Sequence, residues 1–306
     1  MLDHPQMDPE SRNAANGATV TDISIETPDG FPIAGTLFEG QGSGPLILIS
    51  GATAVPRGLY AGFAKACVAQ GARAALIYDY RGVGGSQRPR GWRKRINYKD
   101  WALIDLPAAA ARLDSIASGH AMVGVGQSFG GQALGLSGIA DRFDRYGMVA
   151  TMTGYHRLLD DPTIWARMNL VGVPVSLFFE SMPRWLGLGE PIPTSCFRDW
   201  ARWCRHPEYF FGDPDVPEVS RVAEVRTPIL TLGMTDDPWG NPRATAKLMS
   251  YYSNAPVETR WLSPNEAGAD KIGHLGFFRS RFAETLWPQF IAWLLDGRKV
   301  TMGGTE

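Results

Sequence analysis

Short, largely apolar stretches alternate along this chain with stretches whose apolar residues recur at helical spacing. Residues 45–50, 74–78, 121–125, 147–153 and 228–232 are of the first kind, each closed by glycine, proline or a charged residue. Residues 59–70, 101–117 and 282–295 are of the second, and Gly71 stops the first of these helices. Strands that are apolar throughout, rather than at every second position, are buried on both faces, which predicts a mostly parallel sheet covered by helices on each side. Residues 22–26 and 33–38 flank Pro28-Asp29-Gly30, a hairpin signature, and residues 257–262 supply a last strand. The pattern predicts an α/β fold with a sheet of about eight strands.

Residues 154–225 break the rhythm with scattered Trp, Pro and Phe and read as an inserted helical cap. The expected organisation is a core of residues 20–153 and 226–296 carrying that cap, with tails at 1–19 and 297–306; the first tail is expected to be disordered. A chain of 306 residues suits one domain with an insertion better than two equal domains. A net charge of −1 gives no reason to expect a nucleic-acid partner. Three cysteines, Cys67, Cys196 and Cys204, show no metal-ligand spacing, so neither a structural metal nor a disulfide is expected, nor any cofactor. The first 17 residues lack the apolar segment of a secretory signal, and the apolar run 170–179 contains Pro174 and is too short to span a bilayer; a cytoplasmic protein is expected.

Chemistry enters at Gly126-Gln127-Ser128-Phe129-Gly130, between a predicted strand and a predicted helix. A turn this sharp presents its central residue at the carboxyl edge of a sheet, and its glycines remove side chains that would collide across it. Ser128 is therefore the candidate nucleophile. A serine hydroxyl needs a base and an acid to orient that base. His274 follows the last strand, whereas His4 lies in the tail, His120 at the opposite edge, and His156 and His206 in the cap. Asp236 follows the strand 228–232 and is the favoured acid; Asp237, preceding Pro238, is the alternative and would more naturally cap the turn. The backbone N–H groups of Phe129 and Ala52 are the candidate oxyanion donors, Gly51 letting the chain bend close to substrate.

Ser50-Gly51-Ala52, Asp79-Tyr80-Arg81-Gly82-Val83-Gly84-Gly85-Ser86, the Ser128 pentapeptide, Asp236-Asp237-Pro238-Trp239 and Gly273-His274 together resemble the α/β-hydrolase superfamily, nearest its lysophospholipase-like and serine-aminopeptidase-like branch. The resemblance spans residues 20 to 296 and implies the α/β-hydrolase fold and the order Ser, Asp, His. One departure is Ser50, where many relatives carry His. The family segment at Asp79 and Arg81 reads as a structural turn rather than as catalytic machinery.

The expected activity is hydrolysis of carboxylic esters with an apolar acyl or alcohol part, Trp165, Phe178, Trp185 and Trp239 being the candidate substrate contacts. The same triad would serve a thioesterase, an acyltransferase or an aminopeptidase, the last anchoring its ammonium on Glu180, Glu190 or Asp199. A non-catalytic ligand-binding protein of the same fold is the reading from another class. Arg88, Arg90, Arg93, Lys94 and Arg95, with Trp92 among them, read as a solvated basic loop and, more sharply, as a peripheral contact with an anionic head group or membrane surface.

Overall fold

The computed structural model describes residues 12–13, 18–187 and 189–304. Nine strands form one sheet: β1 (Arg12–Asn13), β2 (Thr19–Glu26), β3 (Pro32–Glu39), β4 (Leu46–Ser50), β5 (Ala74–Tyr78), β6 (Met122–Gln127), β7 (Tyr146–Val149), β8 (Ile229–Met234) and β9 (Val257–Leu262). Their spatial order is β1-β2-β3-β5-β4-β6-β7-β8-β9, parallel from β5 to β9 and antiparallel in the β1-β2-β3 ribbon and where β3 meets β5. The expected sheet of about eight strands is present with a two-residue strand added at its edge.

Alternation along the strands divides the core in two. Leu46, Leu48, Leu76 and Met122 face one layer, while Ile47, Ile49, Ile77 and Val123 face the other. Helices α1 (Ala61–Ala69) and α6 (Trp287–Asp296) cover the second face; α2 (Leu106–Asp114) and α3 (Phe129–Ser137) cover the first. Between β7 and β8 the chain leaves the sheet for short helical turns and α4 (Thr194–Arg205), and α5 (Pro242–Met249) follows β8. No helix among the described residues is long and apolar enough to cross a membrane.

The chain runs from β4 through α1 to β5 on one side, then returns past β4 through α2 to β6 on the other. The carboxyl ends of β4 and β6 thus flank a topological switch point, where open α/β sheets leave a crevice.

Both ends depart from the tail reading. Residues 1–11 and 14–17 lie outside the described residues, but Arg12 and Asn13 pair with Val20 and Thr19. At the other end Val300 is fully buried, and Gly304 exchanges both backbone hydrogen bonds with Trp261 of β9.

Beneath the sheet edge the Asp79–Ser86 segment is a scaffold. Asp79 accepts from the N–H groups of Arg57 and Gly85 at 2.7 and 2.9 Å, and Ser86 Oγ donates to the Asp79 carbonyl at 2.7 Å. Arg81, 1% exposed, pairs through Nε with buried Asp105 at 2.7 Å and through Nη1 with Asp29 at 2.8 Å. Burial pushes the Asp105 carboxyl up to about 7 despite Arg81. Arg81→Met would leave that carboxyl without its cation, at a cost of about 3–5 kcal/mol. In the variant, folded Asp105 keeps its proton where the unfolded chain has lost it, so stability keeps falling as pH rises; in the wild type that fall ends near pH 7. The deficit therefore widens above neutrality. Urea melts of both proteins at about pH 6 and about pH 8.5 measure it, and an equal deficit at both would contradict this account.

Candidate active site

Ser128 stands between β6 and α3 with φ 51° and ψ −112°, outside the conformations that side-chain-bearing residues favour. Its N–H still continues the sheet, donating to the Val149 carbonyl at 2.9 Å. Two close approaches explain the flanking glycines. A Cβ on Gly126 would lie 2.3 Å from the Gly130 carbonyl, and one on Gly130 would lie 2.1 Å from the carbonyl oxygen of Ser50. The start of α3 is thus pressed against the end of β4, and only hydrogen fits between.

His274 Nε2 lies 3.1 Å from Ser128 Oγ, and its Nδ1 lies 2.7 Å from Asp237 Oδ2. The ionised carboxylate can only accept, so Nδ1 carries the proton and Nε2 turns its lone pair to the serine. Asp237, not the favoured Asp236, meets the imidazole. Asp236 turns away and accepts from the N–H of Ile272 at 2.9 Å and from that of Gly273 at 2.9 Å, pinning the loop that carries His274. The cause is the turn after β8. Asp237 N–H donates to the Met234 carbonyl, and Asp237 Oδ1 accepts from Trp239 N at 2.8 Å, so the second aspartate curls back over the strand end. Burial alone would raise the Asp237 pKa; the His274 charge and hydrogen bond, with the N–H groups of Trp239 and Gly240, outweigh it and hold the carboxyl below its ordinary range.

The backbone donors also differ from expectation at one position. Phe129 opens α3, so its N–H has no partner within the helix. The Ala52 N–H, however, donates to the Tyr60 hydroxyl at 2.8 Å and is committed there. The next amide, that of Thr53, has no hydrogen-bond acceptor among the described residues, and Thr53 lines the crevice.

Two residues that sequence reasoning passed over tie these loops together. The Tyr60 hydroxyl donates to Gln127 Oε1 at 2.6 Å, and Gln127 Nε2 donates to the His274 carbonyl at 2.8 Å. Gln127 is fully buried in β6. An amide inside an otherwise apolar strand was the signal available in the sequence. Ser50, the departure noted above, hydrogen-bonds the Tyr78 hydroxyl at 2.9 Å.

Ser128 and His274 open onto a cavity of about 1080 Å³, walled chiefly by apolar side chains such as Leu59, Ile164, Met168, Phe197 and Trp200. Of the four expected contacts, Trp239 lines it, 5.7 Å from the His274 ring, and Trp185 lines it while remaining 68% exposed. Trp165 and Phe178 do not line it; Phe178 is 82% exposed because it follows the last turn of the helical stretch 164–175, beyond the face carried by buried Ile164, Met168 and Gly172. Of the carboxylates considered as ammonium anchors, Glu190 alone lines the cavity, and Arg184 engages it at 2.6 Å. Glu180 and Asp199 face outer hollows, Asp199 pairing with Arg95 of the basic loop at 2.6 Å. Arg88, Arg95 and Arg198 line one such hollow with Leu177 and Phe179.

The Alpha/beta hydrolase family model matches residues 46–285. No curated protein matches the sequence. Among solved structures, DcsB in complex with a substrate analogue superposes with a TM-score of 0.62 at 17% identity, covering 91% of this chain and all of that one. The esterase domain of a Rhodothermus marinus protein gives 0.56 at 18% identity, over 90% of this chain and 97% of that one. An esterase of Pyrococcus furiosus gives 0.56 at 16% identity, over 90% and 91%. At these identities the likeness is one of fold.

Tyr60→Phe would leave the Ala52 N–H and Gln127 Oε1 unpartnered in a buried site. The expected loss is about 1–3 kcal/mol, read from the urea midpoint at unchanged slope. An unaltered midpoint would mean that the hydroxyl does not join these loops.

Proposed function

The chain belongs to the alpha/beta hydrolase family, and from that premise we propose that it is a serine hydrolase cleaving carboxylic esters with an apolar acyl or alcohol part. The observation that carries the reading is the unbroken relay Ser128 Oγ, His274 Nε2, His274 Nδ1, Asp237 Oδ2, with spacings of 3.1 and 2.7 Å at its two hydrogen bonds. Ser128 Oγ attacks the ester carbonyl carbon while Nε2 takes its proton. Asp237, kept ionised, stabilises the imidazolium that results and holds the ring in its tautomer.

Negative charge gathers on the former carbonyl oxygen. Phe129 N–H, at the positive end of α3, and Thr53 N–H, neither with an acceptor among the described residues, are the donors that receive it. Collapse breaks the bond to the alcohol, which leaves with the Nε2 proton. A water then repeats the sequence on the acyl-enzyme and releases the carboxylic acid. Against aminopeptidase action, the described residues lining the cavity include Arg167, Lys271, Arg279 and Arg281, and the one carboxylate among them, Glu190, is engaged by Arg184, while Asp161 beside the lining is engaged by Arg167. That lining repels a free ammonium group and tolerates neutral esters.

Ser128→Ala is expected to abolish labelling by a fluorophosphonate probe with the fold retained; persistent labelling would reject the nucleophile. Asp237→Asn should lower kcat by about 10³- to 10⁴-fold. Asp236→Asn should act mainly on stability, by about 1–3 kcal/mol, with a much smaller effect on kcat. Equal losses of kcat in the two folded variants would reject Asp237 as the orienting acid.

A further inference from the structure

We propose that Gln132, Trp200 and Tyr209 form a polar subsite in the cavity wall that recognises a hydroxyl group on the acyl part of the ester. The inference rests on the reading of Ser128 as nucleophile and adds to it the class of acyl group.

Gln132 lies four residues beyond Ser128 in α3, on the same side of the helix, and its N–H donates to the Ser128 carbonyl at 3.3 Å. It is 2% exposed. Its Nε2 donates to the Met152 carbonyl at 2.7 Å, which fixes which end of the amide is nitrogen. Its Oε1 is buried with no hydrogen-bond partner among the described residues. Tyr209 and Trp200 line the same cavity, and neither the phenol nor the indole N–H has a hydrogen-bond partner within 3.5 Å among the described residues. The three groups adjoin one another at separations longer than 3.5 Å: burial raises the Tyr209 pKa well above the ordinary phenol range, and weak hydrogen bonding with the Gln132 and Trp200 side chains partly opposes that rise.

Three other polar groups on the cavity wall are committed. Thr53 Oγ1 bonds the Tyr98 hydroxyl, Trp239 Nε1 donates to Asp161, and Glu190 pairs with Arg184. A cluster left open among committed neighbours is where a ligand's polar atom completes the set.

The backbone points the same way. Tyr209 has φ 53°, a left-handed conformation that an aromatic residue adopts at a cost. Its ring passes so close to Gly154 that a Cβ there would lie 2.7 Å from it. The chain accepts strain and a glycine to bring this phenol to the cavity.

The chemistry of the trio selects the ligand. Gln132 Oε1 only accepts, the Trp200 N–H only donates, and the Tyr209 hydroxyl does either. An alcohol donates one hydrogen bond and accepts others, so it satisfies all three. A carboxylate would set its lone pairs against Oε1, and an alkyl chain would leave the whole set unpaired. Sites built to bond a hydroxyl reject the analogue that lacks it.

The test compares p-nitrophenyl esters of equal chain length, plain and with a hydroxyl moved stepwise along the acyl chain. At one position the hydroxylated ester should exceed the plain one in kcat/KM on the order of tenfold or more. Gln132→Met and Tyr209→Phe should each bring that ratio towards one. If Gln132→Met does not fold, Tyr209→Phe, which removes a single oxygen, carries the test alone. A wild type without preference at any position, or a ratio unmoved in the folded variants, overturns the subsite. Fluorophosphonate labelling of the wild type separates the two levels. Labelling without hydroxyl preference rejects the subsite alone, and no labelling rejects the hydrolase reading beneath it as well.

Discussion

The end of β4 and the start of α3 approach so closely that a methyl group at Gly130 would lie 2.1 Å from the Ser50 carbonyl oxygen. That contact sets the terms for everything above it. It presses the start of α3 against the turn after β4, whose Thr53 amide has no acceptor among the described residues and lines the same crevice as Ser128 and Phe129. It also obliges the backbone at Ser128 to turn through a conformation that it would not hold in isolation. Ser128 N–H is bonded into the sheet, and the helix that follows is wholly buried, so the surrounding structure over-determines the turn.

A second layer of order is polar. Tyr60 and Gln127 join the loop after β4, the strand before Ser128 and the loop of His274 through three hydrogen bonds, two buried and the one to His274 part-buried. Because these groups are shielded from water, each bond left unmade would cost more than each bond made contributes. The arrangement is consequently close to all-or-none. Asp236 adds a fourth fastening from the other side by holding the amides of Ile272 and Gly273. The two adjacent aspartates divide the work: one faces the imidazole, and the other fixes the loop that brings it.

Much of this was legible in the sequence because it is written in local pattern. Apolar runs announced the central strands, and the parallel sheet followed from their lack of alternation. The pentapeptide around Ser128, with a histidine loop after the last strand, placed both residues at one edge. What escaped depends on rotations about single bonds and on distant partners. Whether Asp236 or Asp237 reaches His274 is decided by how the turn after β8 closes on Met234 and Trp239. Ala52 was a reasonable donor until Tyr60, eight residues on, took its N–H. Phe178 looked like a cavity residue by composition, yet an apolar residue in a cap can face outward as readily as inward, and composition does not record direction.

The partners of Ser128 are far away along the chain. His274 lies 146 residues later, and Gln127 holds the backbone of that histidine across 147. During synthesis, Ser128 and its turn emerge long before the imidazole that the fold sets 3.1 Å from its hydroxyl. Until then that hydroxyl lacks its imidazole partner. On the proposed reading, nucleophilicity is a property of the finished molecule. A chain cut short before residue 274 keeps its serine without the ring that would take its proton in that reading.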